Sequence, residues 1–171
     1  QTAIVMGGVG IARNNSDYFP LLLSNYILGG GMQSRLFKAV REQQGLSYNV
    51  SSQFTTWQVP GPFLFKLQTK NQSTGKAIDL VRQVVGDYVK KGPSAQELAE
   101  AKQYFSNSFA LQFSSNAAIL SKVIYLVYFK LPLDYYDHYL DQINSVKLRD
   151  VSCALKKHIN VGALTTVSAG G

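Results

Sequence analysis

Apolar positions along the chain change period several times, and each change predicts an element. Residues 3–12 (AIVMGGVGIA) are an apolar run broken by Gly7, Gly8 and Gly10. This predicts a buried strand with a bulge or a close backbone approach at the glycines. Asn14-Asn15-Ser16 reads as a turn, with Ser16 as the cap of a helix that runs to about Leu28. Pro20 falls in the first turn of that helix, where its missing N–H costs little, and Gly29-Gly30-Gly31 ends it. A short helix is expected over 34–43, with Leu36, Phe37 and Val40 on its apolar face and Gly45 in a left-handed conformation at its end. Strict alternation then predicts a strand from Leu46 to about Trp57. Leu46, Tyr48 and Val50 would point one way, and Ser47, Asn49 and Ser51 the other. Val59-Pro60-Gly61-Pro62 is a turn, and Phe63, Phe65, Leu67 and Thr69 form a returning strand.

From there the period becomes helical. Ala77, Ile78, Val81, Val84, Val85, Tyr88 and Val89 fit a 3.6-residue repeat, stopped by Gly92-Pro93. Ser94-Ala95-Gln96-Glu97 is a capping-box signature for a helix to about Gln112. A further helix is expected from Asn116 to Phe129, another capped by Asp134 and running through Ile143, and a last one over about 148–159. Leu164 to Ala169 closes the chain as a strand. No linker, repeat or low-complexity tract interrupts the sequence. The order β-α-α-β-β-α-α-α-α-α-β predicts an α+β fold: a mostly antiparallel sheet with helices packed on one face.

Composition narrows the function classes. The 171 residues are 46% apolar and 16% charged, which excludes disorder. A single Cys excludes an internal disulfide. The densest apolar run, Val123 to Phe129, is far short of the roughly 20 residues of a membrane span. The chain opens on Gln1, shows no signal peptide and looks trimmed, so the parent protein's targeting stays open. The net charge, 17 − 10 = +7, is spread out. Its only adjacent pairs, Lys90-Lys91 and Lys156-Lys157, sit near predicted helix C-termini, where cations offset the macrodipole. Nucleic-acid binding is therefore not expected.

The ordinary catalytic sets are missing. His138 and His158 fall on different predicted helices and outside any zinc motif, so surface or core-edge roles explain them. Cys153, beside Val151 and Leu155, reads as a buried, inert thiol. Neither G-x-S-x-G nor a phosphate loop occurs. One constellation remains, in residues 28–50 (LGGGMQSRLFKAVREQQGLSYNV). Arg41 ends the short helix and Tyr48 follows the glycine turn. Together they can present a guanidinium fork and a phenol to one cleft. Equally, the Arg can be solvated and the Tyr packed in the sheet.

The same segment resembles the C-terminal half-domain of the pitrilysin/insulinase peptidase family, which includes mitochondrial processing peptidase. The likeness continues through PGPFLFKLQTKNQSTGKAIDLV, GPSAQELAEAKQYFSNSF and SNAAILSKVIYLVYFKLPLDYYD, covering the chain from about Gly10 to Ala169. The resemblance implies that residues 1–171 are a single C-terminal half-domain of a larger chain, closest to exported or periplasmic bacterial members. In such proteins an N-terminal half carries H-x-x-E-H and binds Zn²⁺, and substrate is held as an extended peptide. The other half contributes an Arg and a Tyr from the R-E-x-x-G-L-x-Y region. These match Arg41 and Tyr48, as contacts to substrate carbonyls and the tetrahedral intermediate. Glu42, Gly45 and Leu46 match the same pattern and read as structural.

The zinc motif itself is absent here, so no metal or cofactor is expected in this chain, and zinc is expected in the partner half. The expected partners are that zinc-bearing half-domain or subunit and a peptide substrate, with no nucleic acid and no membrane span. The competing reading is a catalytically inactive homologue that serves as a binding or assembly subunit.

Overall fold

The computed structural model describes residues 1–170. Four strands form one antiparallel sheet in the order β2-β3-β1-β4: β1 (Thr2–Val9), β2 (Val50–Phe54), β3 (Pro62–Thr69) and β4 (Thr165–Ala169). β1 is central and pairs with β3 over its whole length, from Thr2 opposite Thr69 to Val9 opposite Pro62. The close backbone approach expected at the glycines is real. A Cβ on Gly7 would lie 2.6 Å from the Phe63 carbonyl oxygen.

Alternation decides which side of the sheet is covered. Thr2, Ile4 and Met6 of β1 are buried, as are Phe63, Phe65, Leu67 and Thr69 of β3, while Ala3, Val5, Lys66 and Gln68 are exposed. Six helices accompany the sheet: α1 (Tyr18–Gly29), α2 (Thr74–Lys91), α3 (Ala95–Phe109), α4 (Asn116–Phe129), α5 (Tyr139–Ser145) and α6 (Leu148–His158), and all but α4 give buried side chains to the core on that face. The core joins Ile4, Met6, Phe63 and Phe65 to Leu23 and Leu28 of α1, Val81, Val85 and Tyr88 of α2, and Val151 and Leu155 of α6. The α+β reading is correct.

The capping box is fully formed. Ser94 Oγ accepts from the Glu97 N–H at 3.1 Å, and the Glu97 carboxylate accepts from the Ser94 N–H at 2.7 Å. The same carboxylate takes Nε and Nη2 of Arg35, each at 2.7 Å. Burial pulls the Glu97 carboxyl upward. Hydrogen bonds from Arg35 and Ser94 outweigh it, so the group sits below the ordinary carboxylate value.

Several boundaries differ from the sequence expectation, each for a visible reason. Asp17, not Ser16, precedes α1, and its carboxylate is drawn away to Lys157 and His158, both at 2.8 Å. The hydrogen bond from Lys157 leads in holding Asp17 below its usual carboxylate value. The 34–43 helix is π-helical over Phe37–Gln43. The helix expected to reach Gln112 leaves the α form at Phe109 and continues as a 3₁₀ turn, Ala110–Phe113. Asp134 caps nothing. It faces His138 at 3.5 Å, residues 134–138 form tight turns, and α5 starts only at Tyr139. Cys153 is exposed rather than buried, because α6 turns Val151, Ala154 and Leu155 inward instead.

Candidate functional site

The π-helical segment ends in a turn held by three backbone devices. Gly45 takes φ +59°, the left-handed conformation expected of it. Its N–H reaches the Arg41 carbonyl at 3.1 Å, and the Leu46 N–H reaches the Val40 carbonyl at 2.9 Å. The Thr69 hydroxyl, at the end of β3, then donates to the Leu46 carbonyl at 2.6 Å. Buried Ser47 closes a small turn, donating to the Asn49 carbonyl at 2.7 Å and accepting the Asn49 N–H at 3.2 Å.

These bonds engage backbone groups of Gly45, Leu46 and Asn49, and pairing begins only at Val50, opposite Leu67. Tyr48 therefore stands in a loop two residues before β2, not third in a strand. It is 88% exposed, which overturns the alternative of a tyrosine packed in the sheet. Arg41 leaves from the last turn of the π-helical segment and lays its guanidinium over the Phe37 ring, 4.8 Å from the centroid.

Both side chains line one concavity of about 460 Å³, together with Ser47, Gln68, Thr69 and Lys70. Arg41 and Lys70 contribute positive charge, and no Asp or Glu is among the described residues that line it. Such a site favours carbonyl and carboxylate oxygens over cations. β2, an edge strand of the sheet, starts beside it.

Metal chemistry finds no support in this chain's own side chains. Among the described residues, no group of three or more His, Cys, Asp or Glu is placed to hold an ion. Each histidine pairs instead with its own aspartate, His138 with Asp134 and His158 with Asp17. The residues present do not fit a zinc site.

One built cluster has no precedent in the sequence reading. Arg13 is 4% exposed and has no carboxylate partner among the described residues. Its Nε and Nη2 donate to the hydroxyls of Tyr125 and Tyr135, and its guanidinium lies 3.6 Å from the Tyr18 ring centroid. Burial pushes the Tyr136 and Tyr139 phenols up to about 12 and holds Tyr18 well above the ordinary phenol value, so these three stay neutral. Arg13 thus ties the turn after β1 to α4 and to the turn before α5. Only the density of tyrosines between 125 and 139 hinted at it.

Comparison with known proteins identifies the family and the fold. Residues 1–105 match the family model described as "Peptidase M16 inactive domain". A peptidase M16 inactive domain from Pseudomonas fluorescens superposes with a TM-score of 0.93 at 37% identity, over 99% of this chain and 40% of that one. The "Non-peptidase homolog YmxG" of Helicobacter pylori is 31% identical over 140 residues, 82% of this chain and 32% of its own length. The "Uncharacterized zinc protease YmxG" of Bacillus subtilis is 25% identical over 71% of this chain and 30% of its own length. The chain thus spans about a third of the length of the curated relatives it matches.

Proposed function

Because the chain belongs to the Peptidase M16 inactive domain family, we propose that it is the substrate-holding half of a zinc metallopeptidase that acts on extended peptides. The observation that carries this reading is the shared, carboxylate-free concavity of Arg41 and Tyr48. The guanidinium offers fixed donors to peptide carbonyls in the ground state. The exposed phenol is free to donate to an oxygen that gains charge during reaction. Zinc belongs, in this reading, to the partner half, and we place the assembly in the periplasm or outside the cell, as the sequence resemblance to exported members implies.

Reconstitution tests the proposal. The chain alone should retain no stoichiometric zinc after dialysis and cleave no peptide. Combined with a zinc-bearing half, it should support cleavage of an extended fluorogenic peptide. A zinc-bearing half that cleaves equally well without it would remove the role.

The name of the Helicobacter pylori relative favours a second reading, an assembly subunit without peptidase activity. That reading predicts a stable complex in the same experiment, with no turnover.

A further inference from the structure

Arg13 is fastened on one side and open on the other. Its Nε and Nη2 go to the Tyr125 and Tyr135 hydroxyls, and the Tyr18 ring covers a face of the guanidinium. Among the described residues nothing accepts from Nη1. Yet Nη1 is not sealed in, since Ser24 Oγ is the only buried side-chain polar atom without a partner among those residues. Nη1 therefore reaches open space. The space that Arg13 lines is a recess of about 170 Å³, walled also by Asn14, Gln58, Phe129 and Lys130.

Charge in this recess is unbalanced. Arg13 and Lys130 bring two positive charges, and no Asp or Glu is among the described residues that line it. Phenols are uncharged at pH 7, so the tyrosines solvate the guanidinium without cancelling its charge. A cation drawn out of water ordinarily has an anion beside it.

Lys130 stands there under strain. Helix α4 turns Tyr125, Leu126 and Phe129 toward the body, leaves Ile124 and Val127 exposed, and ends at Lys130, whose N–H reaches the Leu126 and Val127 carbonyls. Lys130 has φ 53°, the only positive φ outside glycine among the described residues. Glycine is the usual occupant of such a helix end, because a Cβ crowds the backbone in the left-handed conformation. A lysine within the last turn would offset the helix dipole without that strain. What position 130 adds is a second cation on the recess of Arg13. Gln58 is held at the same rim by its bond to the Tyr128 carbonyl, 2.7 Å long, which uses one of its two amide hydrogens.

We propose that this recess is an anion site that takes a phosphate group. Two unmatched cations suit an oxyanion of charge near −2, which a phosphate carries at neutral pH and a single carboxylate does not. Arg13 Nη1 and Lys130 Nζ supply the charge, and the amides of Asn14 and Gln58 supply neutral donors. The recess is far smaller than the Arg41–Tyr48 concavity and suits a compact ion or a small phosphomonoester rather than a stretch of peptide.

Calorimetric titration of the full chain at pH 7 and low salt tests this. Inorganic phosphate should saturate one site per chain with a Kd below roughly 1 mM, and should raise the melting temperature. Lys130→Gly removes the ammonium and suits the left-handed backbone. It should weaken phosphate by about tenfold or more and melt no lower than wild type. Lys76→Ala removes the same charge from an exposed position on α2 and should leave the Kd unchanged. Arg13→Gln should abolish binding, and where it unfolds the chain, Lys130→Gly decides. Acetate should bind far more weakly than phosphate. Glycerol phosphate is titrated alongside. Tighter binding of inorganic phosphate assigns the site to the free ion, tighter binding of glycerol phosphate to a phosphomonoester, and either supports it. Acetate as tight as phosphate, an unchanged Kd in Lys130→Gly, or no saturable site would overturn the proposal. So would phosphate lost in Lys70→Ala and kept in Lys130→Gly, which would place the ion in the Arg41 concavity.

Discussion

The hydroxyl of Thr69 donates to the Leu46 carbonyl at 2.6 Å, fastening the loop that carries Tyr48 to the end of β3. Thr69 is 3% exposed, so the bond is shielded from water. Thr69→Val keeps the shape and removes the donor, leaving a carbonyl short of a partner. The expected cost is about 1–2 kcal/mol of stability. Amide hydrogen exchange should accelerate over residues 45–49 and stay unchanged in α2. Uniform acceleration would show that Thr69 serves the whole core rather than the loop.

Two glycines nearby should fail differently. A Cβ on Gly29 would meet the Ser52 backbone nitrogen at 2.4 Å, where nothing flexible can yield. Around Gly45 space is open, but φ is +59°. Gly45→Ala should therefore cost only the left-handed penalty, about 1–2 kcal/mol, and Gly45→Asn less. Gly29→Ala should cost more than either and push α1 away from β2. Thermal melts of the three variants give the order directly, and equal losses for Gly29→Ala and Gly45→Ala would refute it.

These positions show what the sequence made legible. Gly45 after an apolar helix face announced its conformation, Ser94-x-x-Glu97 announced its cap, and the limits of α4 were readable to the residue. Arg41 and Tyr48 were visible as candidates through spacing and resemblance. Tyr48's place was not, because alternation continues through 46–50 while Thr69, 23 residues away, claims the Leu46 carbonyl. Nor was the sense of α4. Periodicity shows that a helix is apolar, but when almost every position is apolar it does not say which stripe the body covers. Arg13 was missed for a related reason: its tyrosine partners lie 112 and 122 residues along the chain.

The Arg35–Glu97 pair makes stability depend on pH. Glu97 titrates below its ordinary value in the folded chain, so its stabilisation is fully present above the unfolded carboxylate pKa of about 4.3 and is lost as pH falls through the folded value. Glu97→Gln should lower the urea midpoint at pH 7, by an amount equivalent to about 1–3 kcal/mol. The gap to wild type should close as pH drops from 5 toward 3. A gap that stays constant would mean that the carboxylate's charge contributes nothing.

Arg41 should act before and during reaction, since a guanidinium fork binds a carbonyl whether or not it has begun to change. In the assembled, zinc-loaded peptidase, Arg41→Ala is expected to raise KM and lower kcat together. Arg41→Lys should recover only part of the loss, because an ammonium cannot reproduce two parallel donors. Full recovery by Lys would reduce the residue's role to charge alone.

Tyr48→Phe in the same assembly bears most directly on the proposed function, because it removes one donor atom from a side chain that is already 88% exposed and leaves the fold untouched. With zinc content and melting temperature equal to wild type, kcat should fall by roughly 10²–10³-fold while KM changes little. Wild-type kcat in that intact, zinc-loaded protein would contradict the oxyanion contact and leave Tyr48 as a loop residue beside the cleft.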